Sequence, residues 1–197
     1  MATIFQQLAK SGRKQGIEIP NTQNARNWFR DVAQNITRVS SNRLMNDKQN
    51  IKNKISVTDV GKMVMFSYDP KHKNTLPYYD TFPLIFIIGF KNDGFMGINL
   101  HYLPPFLRAK LMDALYSTLN NQQYNDTTKL KISYEILSGA TRFKYFKPCI
   151  KQYLWNHVRS NFLNVPPKMW DAALFLPTAR FQKANQEQIW QDSENLL

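Results

Sequence analysis

The chain has 197 residues, 43% of them hydrophobic and only 7 of them glycine, with a formal net charge of +12. That is enough apolar material for a buried core and too little glycine for a low-complexity chain. The basic excess points to a polyanionic partner, nucleic acid or an anionic surface, and the single cysteine, Cys149, excludes an intramolecular disulfide.

The charge is unevenly spread. Residues 1–60 carry 10 Lys/Arg against 4 acids, and residues 61–128 carry 6 against 5. Residues 129–183 carry 10 against 2, and residues 184–197 carry 3 acids and no Lys/Arg. A nearly neutral centre between basic flanks reads as a scaffold whose flanks touch the anion. The opening segment, MATIFQQLAKSGRKQG, has no apolar stretch of signal-peptide length. The longest apolar run, residues 82–90, is interrupted by Pro83 and Gly89 and is too short to span a bilayer. A soluble protein made in the cytoplasm is the expectation.

Residues 1–20 read as an N-terminal arm, with Gly12, Gly16 and Pro20 breaking any regular element. Residues 21–60 read as a basic helix and linker. Ala25, Phe29, Val32, Ile36 and Val39 recur at helical spacing, and Arg26 and Arg30 lie off that face, either solvated or in contact with phosphate.

Residues 61–183 read as an α+β core. Residues 62–68 alternate Val64, Phe66 and Tyr68 with Met63, Met65 and Ser67, both sets mostly apolar, which predicts a strand buried on both faces. Asp69-Pro70 ends it, and PKHKNTLPYYDT forms a loop. Residues 84–90 are a second strand, Lys91-Asn92-Asp93-Gly94 a hairpin turn with Asp-Gly at positive φ, and residues 95–102 the return strand. These strands predict a small, strongly bent antiparallel sheet flanked by several helices; an SH3-like barrel is one such arrangement. Helices are predicted over residues 105–120 and, from the spacing of Ile150, Tyr153, Leu154, His157 and Val158, over the segment after Pro148; residues 129–137 fit helix or strand, with helix preferred. Residues 162–165 are a candidate strand to complete the sheet. Residues 184–197 read as an acidic C-terminal helix carrying Ile189 and Trp190.

Arg142, Phe143, Lys144, Tyr145, Phe146 and Lys147 interleave cations with aromatic rings. Cations neutralise phosphates and flat rings stack on bases. With Lys151 and Arg159 on the helix expected to follow, this is the candidate nucleic-acid surface; an amphipathic segment with its rings in the core has the same pattern. The loop Lys71, His72, Lys73 with Tyr78 and Tyr79 could meet phosphate, or be pinned by its tyrosines. None of His72, His101 and His157 sits at metal-ligand spacing, and Cys149 has no CxxC partner. Asp69, Asp80 and Asp93 fall at loops without a nuclease pattern, and no Gly-rich phosphate loop is present. No enzyme, cofactor or metal is expected.

Four blocks, MFSYDPKHKNTLPYYDTFPL, GFMGINLHYLPPFLRAKLMDALY, FKPCIKQYLWNHVRSNFL and ALFLPTARFQKA, together resemble a virion protein of T4-like tailed phages. The resemblance is strongest to the DNA end-protector family, with neck, tail-completion and baseplate proteins as competing labels. It spans residues 24 to about 190. It implies a non-enzymatic virion component at the packaged DNA terminus near the portal, shielding that end from host exonuclease. The competing labels imply assembly with portal, neck or tail subunits, or with further copies of the chain. No family site residue maps onto a single position here. A clamp on a DNA end needs phosphate contacts that ignore base sequence.

Overall fold

The computed structural model describes residues 50–104, 107, 108, 111, 115, 135–137, 139, 144–166, 170, 173 and 178–195. The expected N-terminal arm, the basic helix with Arg26 and Arg30, and most of the helices expected over 105–120 and 129–137 lie outside the described residues.

Antiparallel sheet carries the fold. The strands are β1 (Ile51–Lys52), β2 (Met63–Met65), β3 (Tyr79–Asp80), β4 (Leu84–Lys91), β5 (Gly94–Asn99), β6 (Ile150–Leu154), β7 (Phe162–Val165) and β8 (Phe181–Gln182). Six of them form one sheet in the order β1-β7-β2-β4-β5-β6, and β3 pairs separately with β8. Helical structure among the described residues is short: isolated turns and the ten-residue helix α1 (Gln186–Asn195).

The expectation of an α+β fold with several flanking helices is therefore corrected, as is the SH3-like barrel. The main sheet has two open ends, β1 and β6, and does not close. The clearest single correction is the segment after Pro148. Its apolar residues have helical spacing, yet Lys144–Cys149 is a 3-10 turn and Ile150–Leu154 is a strand paired with β5. The tertiary reason is the free edge of the central hairpin, whose backbone groups need partners. A glycine lets that edge be reached closely. A Cβ on Gly94 would lie 2.0 Å from the carbonyl oxygen of Tyr153, so only glycine fits there. Gly94 is the first strand residue rather than a positive-φ turn residue: the loop is Asn92-Asp93, between the paired Lys91 and Gly94.

The candidate strand over residues 162–165 is present and completes the sheet from within it, between β1 and β2. The central strands are buried on both faces, as the double apolar pattern of β2 predicts. Met63, Met65, Leu84, Phe86 and Ile98 pack on one face with Leu111, Leu115, Trp170 and Ile189. Val64, Phe66, Ile85, Ile87, Phe95, Tyr153 and Phe162 pack on the other. A bulge at Ile88 shifts the β4–β5 register, which brings Phe90 opposite Phe95 on this second face. Phe66 sits at its centre, with its ring 5.1 Å from those of Tyr153 and Phe162 and 5.5 Å from that of Phe95, all within the range of favourable ring pairs.

The helix α1 falls where the sequence predicts an acidic terminal helix. It buries Ile189 and Trp190, and the Trp190 indole N–H donates to the His101 carbonyl at 2.9 Å. That bond docks the helix against the 3-10 turn Leu100–Tyr102, which follows β5.

Candidate nucleic-acid interface

At the end of the second face, where β5, β6 and the loop after β2 meet, lies a cleft of about 460 Å³. Tyrosines dominate its walls: Tyr68, Tyr78, Tyr79, Tyr102 and Tyr153. Lys151, on β6 opposite Gly97, reaches into it. Lys71 and His72 stand exposed on the loop at its mouth.

The loop is folded on itself and tied down. The Thr75 and Leu76 amides both donate to the His72 carbonyl at 3.0 Å, and the Lys183 ammonium donates to the carbonyls of Asn74 (3.1 Å) and Leu76 (2.9 Å). Lys183 takes positive φ at 70°, the single described non-glycine residue to do so. Asp69, between cleft-lining Tyr68 and Pro70, gathers two cations: Lys73 at 2.9 Å and Arg159 at 3.6 Å. Its hydrogen bond to Lys73, aided by both positive charges, holds its carboxyl below the usual range.

Part of the cleft wall, where Asp80 and Asn99 line it, is an internally bonded polar cluster. The Asp80 carboxylate accepts from His101 Nδ1 at 2.6 Å, Asn99 Nδ2 at 3.1 Å, and the backbone N–H groups of Phe82 (3.0 Å) and Arg180 (3.2 Å). Asn99 also donates to the Tyr153 hydroxyl at 3.2 Å, and His101 Nε2 lies 3.2 Å from the Thr178 hydroxyl. The Asp80 and His101 side chains are 1% and 0% exposed. Burial opposes ionisation of Asp80, but His101 and the hydrogen bonds outweigh it and hold the carboxyl below its ordinary value. Four donors on one carboxylate leave it no capacity for a ligand, so this cluster is structural. It joins β3, β5 and the segment before β8.

Lys151 is placed differently. Its ammonium lies 4.2 Å from the centre of the Tyr102 ring, a cation–π contact, and no described carboxylate pairs with it. Burial pushes its pKa down. Asp93, another acid lining the cleft, is engaged by the side-chain amide of Gln152 at 3.0 Å, and Gln152 in turn accepts from Lys91 at 3.1 Å. Burial also raises the Tyr68, Tyr78, Tyr102 and Tyr153 hydroxyl pKa values, so these rings stay neutral.

The structure brings together two of the predicted site residues. Lys151 lines the cleft, and Arg159 joins Asp69 at its border, although neither lies on a helix. Lys147 is exposed in the turn before β6, with no carboxylate partner among the described residues. The backbone of Lys144 belongs to the same turn. Arg142, Arg26 and Arg30 lie outside the described residues. Sequence reasoning missed Tyr68, Tyr102 and Tyr153 as cleft residues, and the Asp80–His101 pair. The Asn-x-His spacing was the available signal: Asn99 caps the 3-10 turn that follows β5, its side-chain oxygen accepting from the His101 amide at 3.0 Å. Cys149 is buried and its thiol pKa is raised to about 12 by burial, so it offers no nucleophile. Among the described residues no cluster of three or more His, Cys, Asp or Glu could hold a metal ion, and no helix is long and apolar enough to cross a membrane.

Comparison with known proteins yields one family. No curated protein and no solved structure matches the chain. The family model described as phage T4 terminal DNA protecting protein matches residues 5–193, which takes in the sheet, the tyrosine cleft and the basic flanks. The chain belongs to the phage T4 terminal DNA protecting protein family.

Proposed function

We propose that this protein binds the ends of duplex DNA in the phage particle and shields them from exonuclease by occupying them. The family match over residues 5–193 carries the reading. The arrangement of charge supports it. Lys71, Lys73, Lys151 and Arg159 gather around one tyrosine-walled cleft, while the acids nearby, Asp69, Asp80 and Asp93, are each engaged by internal donors. Net positive charge is thus left over for phosphate. Arg142, Lys144, Lys147, Arg26 and Arg30 add positive charge in the sequence on either side of the neutral centre. Such a surface reads backbone rather than base identity, which is what a protector of any end requires.

The mode of action is binding rather than catalysis. Among the described residues, the carboxylate–imidazole pair of Asp80 and His101 has the look of acid–base chemistry, and it is sealed from solvent and internally satisfied. The test is digestion of a linear duplex by a processive exonuclease. Saturating protein is expected to leave the duplex intact. Protection should fall by roughly 100-fold in apparent affinity between 50 and 200 mM salt, the dependence for about four phosphate contacts. Unimpeded digestion at saturating protein overturns the proposal.

A further inference from the structure

We infer that the tyrosine cleft is a subsite for the terminal nucleotide of a DNA strand, with its 5′-phosphate on Lys151 and its base among the rings. The inference rests on the end-binding reading and names the group that marks an end as an end.

Three observations converge on it. First, the cleft, at about 460 Å³, is of the size that takes one small ligand, and a nucleoside monophosphate falls in that class. Secondly, neutral rings make up much of its wall. Tyr78 and Tyr79 are partly exposed and offer rings on which a base or sugar can lie, whatever the base is, while Tyr68, Tyr102 and Tyr153 are buried and the lining acids Asp80 and Asp93 are held by internal donors. Thirdly, Lys151 supplies a cation that the fold does not neutralise. Its ammonium is withdrawn from water, rests on the Tyr102 ring and meets no described carboxylate. Keeping an uncompensated charge in such a place costs free energy, and an anion entering the cleft removes that cost.

The same chemistry selects an end over the interior of a strand. An internal phosphodiester carries one negative charge. A terminal phosphomonoester carries about −1.5 to −2 at neutral pH and presents three acceptor oxygens. A partly buried ammonium, with the exposed cation of Lys71 at the mouth, favours the more highly charged group. On its Tyr153 side the cleft is bounded by Asn99 and Asp80, which are bonded to one another, to the Tyr153 hydroxyl and to His101.

The experiment uses the full chain with thymidine 5′-monophosphate, thymidine and inorganic phosphate, followed by saturation-transfer NMR. Saturable binding of the monophosphate, at least 10-fold tighter than thymidine and displaced by inorganic phosphate, supports the inference. Equal binding of monophosphate and thymidine, or no binding of either, overturns it without recourse to any variant. Lys151→Met is expected to lose at least 10-fold in monophosphate affinity, and Lys151→Arg to retain most of it; unchanged affinity in Lys151→Met overturns the assignment of the phosphate to Lys151. In a second arm, a blunt duplex with 5′-phosphates is compared with its dephosphorylated counterpart. A preference of at least 5-fold for the phosphorylated end, lost in Lys151→Met, supports the inference. Tight end binding that ignores the phosphate overturns the subsite and leaves end protection standing. Monophosphate binding through Lys151 without exonuclease protection does the reverse.

Discussion

Asp80 and Lys151 line the same cleft, the first buried and the second partly buried, but the protein treats them in opposite ways. The carboxylate has four donors, two from side chains and two from backbone. The ammonium has a ring face and an open cavity. A buried charge surrounded by partners holds structure together, because every neighbour would lose a bond if it left. A buried charge facing empty space holds nothing together, and its cost makes sense only if something enters. The contrast separates a scaffold from a site within about one side-chain length, without any appeal to residue type.

The contrast can be broken most severely at Asp80. Asp80→Ala strips the acceptor from His101, Asn99 and two backbone amides, and is expected to destabilise the fold by about 3–5 kcal/mol, read as the shift in a urea transition. Acid conditions give a second measure of the same charge. The folded-state pKa of Asp80 is depressed, so its contribution is complete above the ordinary carboxylate range and disappears as pH falls through and below it. The gap between the parent protein and Asp80→Ala should therefore narrow towards pH 3. A gap independent of pH means that Asp80 is not ionised in the fold.

Lys151 is expected to respond the other way. Lys151→Met keeps an apolar stem over Tyr102 and discards the charge, so the melting temperature should rise by about 2–4 °C, equivalent to roughly 1 kcal/mol for a chain of this size, while affinity for DNA ends falls. Here the folded pKa is lowered by burial, so the protonated form is the destabilising one. The advantage of the variant should shrink as pH rises and Lys151 loses its proton. A melting temperature that drops instead shows that the ammonium contributes to the fold, and the distinction between the two charges is lost.

The smallest effect is expected at Asp69, a third charge at the same cleft. It is exposed, and its bonds to Lys73 and Arg159 are surface pairs of little consequence for stability. Asp69→Asn should leave the melting temperature unchanged within error and modestly tighten DNA binding at low salt, by freeing both cations. A marked loss of stability would place Asp69 with Asp80 rather than at the surface.

The hairpin of β4 and β5 was legible because its two apolar runs and the Asn-Asp-Gly turn between them are local signals. So was β2, whose doubly apolar pattern suits a short strand covered on both faces, and so was the strand at Phe162–Val165. The strand Ile150–Leu154 was not legible. Its residues carry helical spacing, and what overrides that spacing is the open edge of β5, about 50 residues earlier, which only tertiary pairing can supply. The cleft was half legible. Lys151 and Arg159 stood out as cations among rings, but the tyrosines that wall the cavity come from residues 68 to 153 and share no local pattern.

By itself the sequence determined a large apolar core, a basic balance set on either side of a neutral centre, and the turn and strands of the central hairpin. These follow from counting and from short-range periodicity, and both survive any arrangement of the remaining chain. The tertiary structure alone decided which acids are cancelled and which cation is not. Whether a charge is matched depends on what lies within a few ångströms in space. Asp80 meets His101 from 21 residues away and the Arg180 amide from 100, while Lys151 meets a ring and a void.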